Sequence, residues 1–242
     1  MRGVQPEREN TWGSLAMPSV LAAAHELKAP LVLMRQLSYQ IEMAGELTAD
    51  QKIVQERMRL TAERALRLVE NITQTSRLSE ALFALEPLQA RSVWHDVATE
   101  INPLALQMDQ KLKVRVPKKP LLAVAHRELL PAILIGLCDN ALAHNPHGSQ
   151  VILSAKQQKQ TVVFSVRDKG PTVDAKAFRE LESRLGIAPQ PLGSRPNSSG
   201  LGLWIAGSFA KAMASQLSVT RHRSGGMTFS LHVPISGQLS LL

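Results

Sequence analysis

His25 and Glu26 stand side by side in the segment Ala-Ala-His-Glu-Leu-Lys-Ala-Pro-Leu, with Pro30 close behind. An imidazole can attack phosphorus when one ring nitrogen is unprotonated and the other N–H is held by a base, and Glu26 can turn to that N–H. Asn140 lies in Leu-Cys-Asp-Asn-Ala-Leu-Ala-His-Asn-Pro, residues 137–146. Its carboxamide oxygen suits a hard cation such as Mg²⁺, whose remaining sites go to phosphate oxygens and water. Asp168-Lys169-Gly170 places a carboxylate and a glycine just after an apolar run, and Ser198-Ser199-Gly200-Leu201-Gly202-Leu203 opens another. Glycines there let backbone N–H groups approach phosphates beside the positive end of a helix. A polar helix histidine, a helix-end asparagine or an Asp/Gly turn is ordinary when alone. The specific feature is their order along one chain.

These groups need elements to hold them. Val20, Ala24, Leu27, Leu31, Met34, Ser38 and Ile41 follow steps of three and four, the seam of a packed helix over 15–44. His25 follows seam residue Ala24, which puts the ring at an exposed but anchored edge, and Pro30 should bend the helix nearby. Gly45 fits a left-handed stop, and Thr48 with Gln51 a capping box that starts a second helix. That helix carries its own seam, Val54, Met58, Thr61, Ala65, Leu68, Ile72, Thr75 and Leu82, to about residue 83. Two such helices bury too little alone, and a dimeric four-helix bundle satisfies both. Beyond residue 84 the pattern turns mixed. A helix is expected from Val93 to Leu106, β runs from Leu112 to Val116 and Leu121 to Val124, and a helix from His126 to Ala143. Strands Val151–Ala155 and Thr161–Arg167, a loop, a helix Leu201–Met213 and strands Gln216–Arg221 and Met227–Val233 complete an α/β sandwich. The expected class is α+β, with residues 1–14 a lead-in, 15–84 the helical hairpin, 85–236 the sandwich and 237–242 a tail.

In this order the motifs resemble those of the sensor histidine kinases of two-component systems. His-Glu-Leu-Lys-Ala-Pro-Leu is similar to their phospho-acceptor box, usually His-Glu-Leu-Arg-Thr-Pro-Leu. Residues 137–146 resemble the asparagine box, Asp168-Lys169-Gly170 the first glycine box, and residues 198–203 the second. The resemblance covers roughly residues 15–235 and implies a Bergerat-type ATP-binding fold, shared with gyrases and heat-shock chaperones. It implies ATP and Mg²⁺ as cofactors, with His25 as acceptor and Glu26 as its base. Asn140 would ligate the metal, and Asp168 would receive the adenine amino group beside Gly170. Gly200, Leu201, Gly202 and Leu203 would lie along the phosphates, and residues 171–199 would form a lid with Arg179, Arg184 and Arg195 as candidate phosphate contacts. Departures are equally specific. Gly136 replaces the first asparagine of the box and Ala143-His144 the usual Lys-Tyr, leaving His144 or a lid arginine to face the phosphates. Pro171, Thr172 and Ser198 replace further box residues, so reduced activity is expected. Ala29 replaces the residue that orients a dephosphorylating water, so phosphatase activity should be weak.

Composition narrows the setting. The 242 residues carry a formal charge of +8, 44% hydrophobic and 4% aromatic content, and the single cysteine Cys138. One cysteine excludes an internal disulfide and a multi-cysteine zinc site, which points to a reducing, cytoplasmic setting. The longest nearly apolar run, Leu129 to Cys138, is shorter than the roughly 20 residues a membrane span needs. The expected partners are a second copy of the chain and a response-regulator receiver domain, whose acidic pocket would meet Lys28, Arg35, Arg57 and Arg64. A dimeric scaffold without turnover is the alternative. A nucleic-acid-binding role ranks last, since only the charge favours it and aromatic platforms are few.

Overall fold

The structure, a computed structural model, describes residues 12–77, 84–187 and 201–237. The chain divides into two compact units, residues 1–80 and 81–242.

The first unit is a helical hairpin of α1 (Trp12–Met43) and α2 (Ala49–Arg77). The capping box forms as spaced: Thr48 N–H donates to Gln51 Oε1 at 2.9 Å, and Gln51 N–H to Thr48 Oγ1 at 3.2 Å. Gly45 differs from the expected left-handed stop. Its φ of +159° is at the extended edge, and the helix end is closed instead by Ala44 N–H on the Ile41 carbonyl. Ala24 and Ser38 are buried as expected, but Leu27, Met34, Ile41, Val54 and Met58 are exposed. In α2 the buried positions are Gln55, Leu60, Ala62, Leu66 and Val69, offset from the expected seam. The reason is geometric: each helix carries more apolar surface than one neighbour can cover, so periodicity marks the apolar arc without saying which part faces the hairpin partner. A polar lock sits inside that interface, where Gln55 Nε2 donates to the Ser38 carbonyl at 2.9 Å and Ser38 Oγ to the Gln55 carbonyl at 3.2 Å. Leu82 and Val20 lie outside the residues whose side chains are described.

The second unit is the expected α/β sandwich. Its elements are β1 (Glu86–Gln89), α3 (Ala90–Gln107), β2 (Lys111–Arg115), β3 (Leu122–Ala125), α4 (Leu129–His144), β4 (Gln150–Gln158), β5 (Thr161–Arg167), α5 (Ala175–Arg184), α6 (Leu201–Ala212), β6 (Gln216–Arg221) and β7 (Met227–Pro234). Five strands form a sheet in the order β2-β4-β5-β7-β6, parallel only at β2–β4, and β1 pairs β3 apart from it. Alternation decides the faces. Val162, Phe164 and Val166 point to the helices, with Phe164 6.0 Å from the Trp94 ring of α3, and both side chains are fully buried.

Two elements were not foreseen. β1 is four residues long and contains Pro87. α5 lies inside the stretch expected to be loop, held by Asp174, whose Oδ1 accepts from Lys176 N at 2.8 Å and Ala177 N at 2.9 Å. Those N–H groups hold the Asp174 carboxyl below its ordinary pKa. Helix α4 begins at Leu129 rather than His126. His126 caps it from outside, its Nδ1 accepting from Glu128 N at 3.2 Å and Leu129 N at 3.4 Å, and Pro131 sits in the first turn, where no N–H is required.

Candidate functional site

Three pieces of the second unit converge. The last turns of α4 carry Asn140 and His144, both half-buried. The end of β5 carries Asp168, which is 3% exposed. The first turn of α6 carries Leu201, Gly202 and Leu203. A Cβ at Gly202 would stand 3.9 Å from Asn140 Nδ2, so α6 opens directly beside that carboxamide. A Cβ at Gly170 would lie 2.9 Å from both Asp168 Oδ1 and the His144 carbonyl oxygen, so the β5 turn lies against the end of α4 and only glycine fits there. Gly200, Ser198, Ser199 and Arg195 lie outside the described residues.

Asp168 is held by the backbone. Its Oδ1 accepts from Gly170 N at 2.8 Å and Met227 N at 3.2 Å, and its own N–H donates to the Met227 carbonyl at 3.1 Å. Gly226, at φ +76°, passes so close that a Cβ there would meet the Asp168 carbonyl oxygen at 2.3 Å. One carboxylate oxygen is thus committed to the fold, while Oδ2 makes no hydrogen bond among the described residues. The neighbouring Cys138 is fully buried, and burial followed by the Asp139 charge pushes its thiol pKa well up. It is a core residue, as its surroundings in the sequence suggest.

Sequence reading missed the support beneath the turn. Gln110 and Asn145 are both buried. Asn145 Oδ1 accepts from Lys169 N at 2.7 Å, its Nδ2 donates to Gln110 Oε1 at 2.9 Å, and Gln110 Nε2 donates to the Leu142 carbonyl at 2.8 Å. The two amides tie the residue after Asp168 to the end of α4. Asn145→Ala would strand the Lys169 N–H and the Gln110 Oε1, at a cost of about 2–4 kcal/mol. The expected outcome is a lower melting temperature of the second unit together with weaker nucleotide binding, read by calorimetry.

His25 belongs to the first unit. Its ring is exposed on α1 beside the buried Ala24, and Glu26 is exposed next to it. Lys28 pairs with Glu70 of α2 at 3.2 Å.

Residues 125–237 match the family described as histidine kinase-, DNA gyrase B-, and HSP90-like ATPase. Over 240 residues, 94% of this chain, the sequence is 26% identical to the sensor protein SphS of Synechococcus elongatus, of which it covers 55%. The chain is a homologue of the sensor histidine kinases. A second such relative, the signal transduction histidine-protein kinase AfsQ2 of Streptomyces coelicolor, is 29% identical over 234 residues, covering 87% of this chain and 40% of AfsQ2. This histidine kinase homologue therefore spans about half the length of the relatives it matches. Its fold is similar to that of full-length ShkA in a crystal structure with AMPPNP, with a TM-score of 0.65 at 24% identity over 93% of this chain and 47% of that one. Among the described residues of the homologue, no helix is long and apolar enough to cross a membrane.

Proposed function

We propose that the chain is a histidine kinase core, which binds Mg-ATP in its second unit, moves the γ-phosphoryl group to His25, and passes it to an aspartate of a response-regulator receiver domain. The observation that carries this reading is the convergence of Asn140, Asp168 with Gly170, and the opening of α6 on one edge of the sandwich. In this reading adenine donates its amino group to Asp168 Oδ2. The phosphates run toward Leu201, Gly202 and Leu203 with His144 alongside. Among the described residues no group of three or more His, Cys, Asp or Glu could hold a metal. A magnesium ion at Asn140 would therefore take its other oxygens from phosphate and water, which suits a cation arriving with its nucleotide. Glu26 would accept the second ring N–H of His25 while the first nitrogen attacks in line. Titration calorimetry with Mg-ATP tests the reading: saturable binding supports it, and no heat favours the scaffold without turnover.

Gly136 precedes Asn140 by one turn on the same face of α4, and a Cβ there would meet nothing within 4 Å. Gly136→Asn should therefore be accommodated, with a gain of a few tenths of a kcal/mol in helix propensity. It should also raise ATP affinity severalfold by restoring the second carboxamide of the box. Unchanged affinity would mean that the pocket has compensated for that group elsewhere.

The working form is proposed to be a homodimer joined through the hairpin. Leu27, Leu37, Val54 and Met58 are between 43% and 56% exposed, more apolar surface than a single hairpin would leave to water. Val54→Glu with Met58→Glu is expected to give a monomer by light scattering, with the second unit still folded. Loss of the dimer should also remove any transfer that takes place between protomers.

A further inference from the structure

The helices α3, α4 and α6 cover one face of the five-stranded sheet, and the register of the strands defines what stands on the other. Arg115 of β2, Ser154 of β4, Ser165 of β5, Ser230 of β7 and Ser218 of β6 are successive cross-strand partners, a row running across all five strands. At strand spacings of about 4.8 Å the row is roughly 19 Å long. Its side chains are short, and Ser165 Oγ and Ser230 Oγ hydrogen-bond each other at 2.8 Å.

Longer, cationic side chains stand in and around the row's β2–β5 end. Lys113 and Arg167 belong to the row on one side, both cross-strand partners of Ile152, and Lys156 belongs to the row on the other. Lys111 lies further along β2 on the same face. With Arg115 this makes five full cations, and the register puts no Asp or Glu among them on the five strands of this face. None of the five makes an ion pair among the described residues. Lysines on β2 alone would be explained by the protection of an edge strand. Arg167 is on an interior strand paired on both sides, where that explanation does not apply, and opposite charges are the stabilising choice for neighbours on a sheet.

We propose that the exposed β2–β4 end of this sheet face is a docking surface for an acidic protein segment, laid across Arg115 and Ser154 with its carboxylates toward the surrounding cations. Protein is favoured over nucleic acid because the face presents no Phe, Tyr or Trp ring on which bases could stack, and the His232 imidazole on it is hydrogen-bonded to Ser218 Oγ at 3.0 Å. Carboxylates also match the cations. The surface lies wholly within the second unit and does not depend on the kinase reading.

The test uses the full chain and fluorescence anisotropy with a labelled polyglutamate peptide, beside a labelled DNA duplex. Lys113→Glu/Arg115→Glu/Lys156→Glu should weaken peptide binding by more than about tenfold. Lys52→Glu/Lys176→Glu/Lys211→Glu changes net charge equally on exposed positions elsewhere and should weaken it by no more than about twofold. All six positions are exposed, so both variants should melt with the parent. Equal weakening by the two variants would overturn the proposal in favour of a diffuse charge effect. Tighter binding of the duplex, lost in the first variant alone, would overturn it in favour of nucleic acid.

Discussion

The His25→Gln chain is expected to take up no label from ATP radiolabelled at the γ-phosphate, a fall of about 10³-fold or more, while binding Mg-ATP as the parent does. The separation of the two effects follows from where the group lies. His25 is exposed on α1 in the first unit, and the proposed nucleotide residues lie in the second. Glutamine is a good helix former, so the exchange at an exposed helix position should alter stability by less than about 0.5 kcal/mol. What it removes is the ring nitrogen proposed to attack phosphorus. The parent's label should be lost in acid and kept in alkali, because the bond formed is a phosphoramidate. Label that survives the substitution would place the acceptor on another of the 7 histidines. A parent that binds ATP but takes up no label would leave the scaffold.

Much of this was readable before any coordinates, for reasons that differ between elements. β5 and β6 have the bounds expected of them, since alternation and flanking turn residues both mark a strand. The Thr48–Gln51 box was equally legible, because a reciprocal cap is encoded within three residues of sequence. α5 was not. Its apolar positions Ala177, Phe178 and Leu181 are few, and the Pro, Gly and Ser content of residues 189–200 pulled the expected loop back over it. The buried stripe of α2 was displaced for a further reason: α2 carries more apolar surface than the hairpin covers, and one periodicity runs through all of it.

The site divides along the same line. His25, Asn140 and Asp168 announce themselves by local motif. The pair beneath them does not, because Gln110 and Asn145 are 35 residues apart and each is an unremarked amide until the fold brings them together. Gly226 is similar. It reads as an ordinary turn glycine, yet its close approach to the Asp168 carbonyl fixes how β7 passes the end of β5. Such support is encoded in three-dimensional contacts, so motif spacing says nothing of it.

Asp168→Asn is expected to weaken ATP binding by about 10²-fold, close to 3 kcal/mol, with the fold intact. The substitution is nearly isosteric, and an asparagine oxygen can still accept from Gly170 N and Met227 N, the two bonds that tie Oδ1 to the fold. The change falls on the second atom. There a carboxylate oxygen becomes an NH₂ donor, which meets the adenine amino group donor to donor. The same NH₂ complements a base carrying a carbonyl in that position, so GTP should lose less affinity than ATP and the preference between them should narrow. Asp168→Ala separates the two roles, since it also strands both buried N–H groups and should lower the melting temperature of the second unit. If Asp168→Asn binds ATP as tightly as the parent, Asp168 is a structural carboxylate that only braces the β5 turn, and adenine is recognised elsewhere.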